Sequence, residues 1–326
     1  ESNMKIKKLV LTCSILSICT TSLAFADHQG AGCKGNAQGL VSMPITRATT
    51  GHVLIDSEFN SVTQKTVVDT GGIGVGGVDS QKVLSLIEMQ QGKKNDEGKT
   101  VDVQGANHKQ AMKILKLESA GAPTANIENM NFVVSPKAVI PEQNIETLIG
   151  SQYLCNFLVE FDLQNNLLTL YPKDYSIEAV IKQNESNWSI ARYEDFQNCG
   201  VIILDMTIES IPVKAILDTG ARHTIMNWKA AESLGLSITS PRITQEKNTA
   251  NGLHGKAPET TYAMQLTSLS FAEQTVKAED MKIRVSDMPP FKIFFGNDAA
   301  VNLGIDFFNG RKLLIDYTKK LIAITR

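Results

Sequence analysis

The chain has little with which to hold a metal ion or a nucleic acid. It contains five histidines and five cysteines in 326 residues, with no Cys-x-x-Cys and no His-x-x-His spacing, so a metal site has no support and no cofactor is expected. Basic residues are not in excess: 32 Lys and Arg stand against 34 Asp and Glu, which argues against the basic face a nucleic-acid partner requires. Beyond the first 26 residues no stretch approaches the roughly 20 apolar residues of a membrane span. Helix signals are few. They are confined to Val78–Met89 and to Trp228–Leu234, the latter capped by Asn227 and stopped by Gly235.

What is present begins with a leader. Met4-Lys5-Ile6-Lys7-Lys8 is a basic start, Leu9 to Leu23 a largely apolar run, and Ala24-Phe25-Ala26 a small-x-small cleavage site. Residues 1–26 therefore read as a secretory signal peptide cut before Asp27, with Glu1-Ser2-Asn3 an extraneous remnant ahead of the natural start. The expected location is exported, periplasmic or secreted, in a bacterium. Removing the leader, with its three lysines and one glutamate, leaves 29 basic against 33 acidic residues, a net charge of −4. It also leaves three cysteines, Cys33, Cys155 and Cys199, enough for one disulfide in an oxidising compartment with a thiol left over.

The mature chain repeats itself, and the repeat carries the functional signal. Each half opens on alternating apolar strands, His52–Asp56 and Val201–Ile208, and runs into an apolar-Asp-Thr-Gly: Val67-Val68-Asp69-Thr70-Gly71 and Ile216-Leu217-Asp218-Thr219-Gly220. Glycine-containing polar hairpin candidates follow, at Gly105 and at Gly252 to Gly255. Leu148-Ile149-Gly150 matches Asn302-Leu303-Gly304, and Asp162 and Asp316 each stand 12 residues past those glycines. Each half closes on an apolar strand, Leu167–Tyr171 and Leu321–Ile324. The segment between the halves is polar and aperiodic and reads as a linker over 184–200, dividing the mature chain into 27–183 and 201–326. One Asp-Thr-Gly is a weak signal. Two, each behind a strand and followed by the same residues at nearly the same offset, are a strong one.

This pattern resembles the pepsin and retropepsin clan of aspartic proteases, and the second half is particularly similar to a retropepsin lobe. The resemblance implies a mostly β, bilobal acid-protease fold: two homologous β-barrel-like lobes with a cleft between them, in a monomer. It implies that Asp69 and Asp218 form a catalytic dyad, one from each lobe. Two facing carboxyls cannot both ionise, so one would activate a water while the other donates to the scissile carbonyl. Thr70 and Thr219 would bond across the lobe interface, Gly71 and Gly220 would allow close approach of the backbone, and Gly150 and Gly304 would pack behind the loops. Gly105, Gly252 and Gly255 would belong to flaps closing over an extended peptide or protein substrate.

The first copy departs from the pattern. After Gly71 comes Gly72-Ile73-Gly74-Val75-Gly76-Gly77, with no hydroxyl residue where the second copy has Thr224. Those glycines also spell the G-x-G-x-x-G of a dinucleotide loop, but the chain beyond turns to short strands rather than alternating strands and helices. Gly72 and Ala221 stand where a Ser or Thr would lower a dyad's pKa, so a less acidic working range is expected. His223 is read as a pocket or surface residue, because a carboxyl dyad needs no imidazole. The alternative to an aspartic endopeptidase is a non-catalytic peptide- or protein-binding module that retains the fold.

Overall fold

The computed structural model describes residues 33, 39–72, 74–78, 100–104, 109–135, 139–140, 143–184, 187–196, 200–247, 251–252, 255–256, 260–271, 274–277 and 281–325. These residues are mostly β, in several open sheets. The leader falls outside them, as do Gly105, Cys199 and all of the expected helix at 78–89 except Val78. That residue ends a strand, Val75–Val78, and does not begin a helix. Its neighbours Gly76 and Gly77 lie inside the same strand, whereas a dinucleotide loop places its glycines in the turn that follows a strand.

The two halves build sheets of the same topology. In the first, strands follow the order Val53–Phe59, Val62–Val68, Thr147–Ile149, Val75–Val78, Ile127–Ser135, Lys109–Gly121 and Thr100–Gln104. In the second the order is Val201–Ile208, Ile211–Leu217, Ala300–Leu303, Ile225–Met226, Lys282–Val285, Tyr262–Gln265 and Thr244–Gln245. Matching neighbours also pair in matching directions. Val62–Val68 runs parallel to Thr147–Ile149, as Ile211–Leu217 does to Ala300–Leu303. The chain repeat is thus a repeat of pairing as well as of sequence.

A third sheet takes strands from both halves, in the order Val41–Pro44, Leu167–Pro172, Phe157–Asp162, Lys312–Asp316, Leu321–Thr325 and Trp188–Arg192. At its centre Phe157–Asp162 lies antiparallel to Lys312–Asp316, with Glu160 opposite Leu314. The repeated aspartates serve turns here: Asp162 accepts from the Asn165 N–H at 2.9 Å and Asp316 from the Thr318 N–H at 2.9 Å, closing the hairpins that follow. The segment read as an aperiodic linker contributes two strands. Trp188–Arg192 forms the edge of this sheet, and Glu194–Phe196 pairs with Val201–Ile203. Its polar composition belongs to edge positions, where alternate side chains face water and the hydrophobic period is weak.

The strands that lead to the two Asp-Thr-Gly loops share a burial gradient. Val62–Val68 and Ile211–Leu217 each start exposed or half-exposed and end on three consecutive buried residues, Thr66-Val67-Val68 and Ala215-Ile216-Leu217. A strand covered on both faces loses its alternation and reads as a continuous apolar run. Each loop therefore leaves its strand at the most enclosed point of the fold. One continuous core, from Phe59 and Phe132 through Phe157 and Phe161 to Leu303, Phe308 and Leu313, surrounds them.

Candidate active site

The two loops are held together by their threonines. Thr70 Oγ1 donates to the Leu217 carbonyl at 2.9 Å and accepts from the Thr219 N–H at 3.0 Å. Thr219 Oγ1 returns the arrangement, donating to the Val68 carbonyl at 2.8 Å and accepting from the Thr70 N–H at 3.0 Å. All four bonds are buried, where leaving any one of these groups unpaired costs about 1–3 kcal/mol. A hydroxyl that both donates and accepts is needed at each position, which Ala or Val cannot supply.

This clasp sets each aspartate against the glycine of the opposite loop, with the Asp218 carboxyl at Gly71 and the Asp69 carboxyl at Gly220. The glycines permit it. A Cβ on Gly71 would sit 2.6 Å from Asp218 Cγ, and one on Gly220 would sit 2.3 Å from Asp69 Cγ, so any larger residue would push the facing carboxyl away. Behind the loops the same restriction recurs: a Cβ on Gly150 would meet the Gly72 carbonyl at 2.3 Å, and one on Gly304 would meet the His223 carbonyl carbon at 2.5 Å. The strands ending at those glycines fix the aspartates by matching bonds, Asp69 N–H to Ile149 O at 2.9 Å and Asp218 N–H to Leu303 O at 3.0 Å.

The carboxyls have different partners. Asp69 Oδ1 accepts from the N–H groups of Gly71 and Gly72, both at 2.9 Å. Gly72 is held in turn by its carbonyl, which accepts from the Ser151 N–H at 2.8 Å. Gly72, the start of the irregular run, is thus a donor to the aspartate. Asp218 Oδ2 accepts from the Asn302 side-chain amide at 2.8 Å. Both aspartates are almost wholly buried, Asp69 at 1% and Asp218 at 0% relative exposure. Burial pushes the Asp69 carboxyl up to about 6 against the pull of its donors. Burial, together with the charge of Asp69, raises Asp218 well above the usual carboxylate range.

Further polar residues stand around this centre. His52 is buried at 0% exposure beside the Gly220 backbone; its Nδ1 lies 2.6 Å from Thr50 Oγ1, and burial lowers it to about 4. Thr224, the hydroxyl residue found in the second half alone, donates through Oγ1 to Asp306 Oδ1 at 2.7 Å and accepts from the Gly304 N–H at 3.1 Å. His223 pairs with Asp306 at 3.5 Å and is one-fifth exposed. It braces the loop. Asn302 carried a signal that comparing the halves would have exposed: a polar residue inside a wholly buried strand, where the first half has Leu148.

Of the hairpin candidates, Gly252 and Gly255 pair with each other in a two-stranded antiparallel hairpin. Gly105 lies outside the described residues, between Thr100–Gln104 and Lys109–Lys113, which pair antiparallel. Among the described residues no group of three or more His, Cys, Asp or Glu is placed to hold a metal, and no helix is long and apolar enough to cross a membrane.

Residues 204–307 match the family model for aspartyl protease. The aspartyl protease match covers Asp218, Thr219, Gly220, Asn302 and Gly304, and supports an aspartic-type hydrolase. No curated protein matches the chain.

Proposed function

We propose that the chain is an aspartic endopeptidase that hydrolyses extended peptide segments, with Asp69 and Asp218 as a dyad contributed by two homologous lobes, 27–183 and 201–326, of a bilobal acid-protease fold. The observation that carries this reading is the placement of each buried aspartate against the glycine of the opposite loop, with the two loops clasped by reciprocal threonine bonds. The family match supports it for the second half, and the matching strand order of the two sheets extends it to the first.

In the proposed reaction one carboxyl is ionised and takes a proton from a water, which attacks the scissile carbonyl carbon. The other carboxyl is protonated and donates to the carbonyl oxygen as the tetrahedral intermediate forms. Collapse then returns a proton to the leaving amine, breaking the C–N bond and leaving a new carboxylate. Because both aspartates are buried, a peptide reaches them only when their cover moves. The hairpins at Gly105 and Gly252–Gly255 are our candidates for flaps.

The protein acts, in this reading, as an exported monomer without cofactor, in a periplasm or beyond it. The Cys33–Cys155 disulfide supports an oxidising compartment. The test is fragment release from an unfolded protein substrate across a pH series, by wild type, Asp69→Asn and Asp218→Asn. Cleavage by wild type alone is the expected result. Identical fragments from all three would overturn the protease reading, and peptide binding without cleavage would favour a non-catalytic binding module.

A further inference from the structure

The two halves match closely enough that a difference at a matching position is informative. Leu148 lies opposite Val67, two residues before Asp69; Asn302 lies opposite Ile216, two residues before Asp218. At one place the chain therefore sets an apolar side chain beside an aspartate, and at its counterpart an amide. Asn302 is 2% exposed, in a strand whose four residues are all buried. Its Nδ2 donates to Asp218 Oδ2 at 2.8 Å. Asp218 Oδ1, on the side facing the first loop, has no geometric hydrogen-bond partner among the described residues and lies 2.8 Å from where a Cβ of Gly71 would stand.

We propose that Asn302 is a positioning residue that fixes where Asp218 carries its proton: by donating to Asp218 Oδ2 it leaves Oδ1, on the side facing the first loop, as the oxygen that holds the proton when Asp218 is neutral. An oxygen that accepts an amide N–H cannot also present a proton along that direction, so the neutral acid keeps its proton on the other oxygen. Asp69 is the more readily ionised of the two through its own donors, the Gly71 and Gly72 N–H groups on Oδ1, while the Asn302 amide eases ionisation of Asp218 in the same sense. The ionisable group facing Asp218 is Asp69. Beyond it, the buried Tyr317 at the end of the shared sheet feels the charge of Asp69, and His52 packs at Gly220 with Arg222 and His223 of the second loop around it. None of these is altered by a change at 302.

The proposal rests on the aspartic endopeptidase reading for the roles of acid and base, but the placement of the proton can be measured without catalysis. Protein labelled with 13C at the aspartate carboxyls is titrated by NMR, with Asp69→Asn and Asp218→Asn assigning the two resonances. Asn302→Leu installs the residue of the first half, and Asn302→Ala removes the donor without adding volume. In either variant the Asp218 titration is expected to rise by about one pH unit, and the alkaline limb of kcat/KM to move up with it. The reciprocal Leu148→Asn is expected to lower the Asp69 titration and the acid limb.

An Asp218 titration that stays in place in both Asn302 variants overturns the proposal. So does a fall, which would mean that the Asn302 carbonyl accepts a proton carried on Oδ2. The two readings fail separately. A shifted Asp218 in a protein that cleaves nothing rejects the endopeptidase and keeps the proton placement. Cleavage that needs both aspartates, with an unmoved Asp218, does the reverse.

Discussion

Asp69 and Asp218 are acidic groups held where charge is costly, and the cost depends on pH in a definite direction. The folded pKa of Asp69 is raised, from the ordinary 3.8 to about 6, so the native state binds the proton more tightly than the unfolded chain. Stability from this group is greatest below the ordinary value and declines as pH rises from there through about 6. Asp69→Asn should consequently stabilise the protein at pH 7 by an amount on the order of 1–3 kcal/mol, with the gain gone at pH 3. Paired thermal melts at the two pH values check this. Activity runs the other way on its acid side, because a base must be ionised: the rate should climb through the region near pH 6 and fall where Asp218 gives up its proton. A profile peaking near pH 2 would contradict the raised values. Asp69, Asp218 and the residues of their triplets were legible in the sequence, since doubling marks them. His52 was not, because its significance lies in what it faces across the fold, and Asn302 was marked only as a polar residue where the first half has Leu148.

At the scale of elements, the positioning device is the pair of loops together with the strands behind them. Thr70→Val keeps the shape of the side chain and removes its hydroxyl, leaving the Leu217 carbonyl and the Thr219 N–H unpaired inside the protein. Destabilisation of about 2–4 kcal/mol is expected, with Thr70→Ser recovering most of it; denaturant midpoints for the three proteins give the comparison. Strands were readable where one face meets water, as over Leu204–Ile208, where exposed Asp205 and half-buried Thr207 alternate with buried residues, and the helix Trp228–Ser233 was readable because the Asn227 side chain accepts from the Ala230 N–H, as its cap position predicts. The run from Val75 to Val78 was not, because glycines carry no hydrophobic period. Its strand is set by pairing with Phe132–Ser135 and Leu148–Ile149, both distant in sequence.

Among the described residues, two matching sheets are accompanied by a third that both halves complete and by the small hairpin of Asn251–Gly252 and Gly255–Lys256. The joining sheet explains why the segment between the halves is more than a tether: Trp188–Arg192 is one of its edges. The Cys33–Cys155 bridge closes a long loop, 122 residues in sequence, from the N-terminal segment to the helix turn after Gly150. Closing a loop of that length restricts the unfolded chain by up to about 5 kcal/mol. Cys155→Ser should lower the melting temperature in the absence of reductant and match wild type in its presence. The order of the halves was legible in the sequence because the repeat preserves offsets; the shared sheet was not, because neither half alone contains it.

The central claim is that Asp69 and Asp218 act as one unit, and its most direct test is the dependence of peptide cleavage on each aspartate singly and together. Residues that work as a unit are non-additive in their effects on rate. Asp69→Asn and Asp218→Asn should each reduce kcat by at least about a thousandfold, and the double variant should lose no more than the worse of the two. Substantial activity in either single variant, or losses that multiply in the double, would contradict the account.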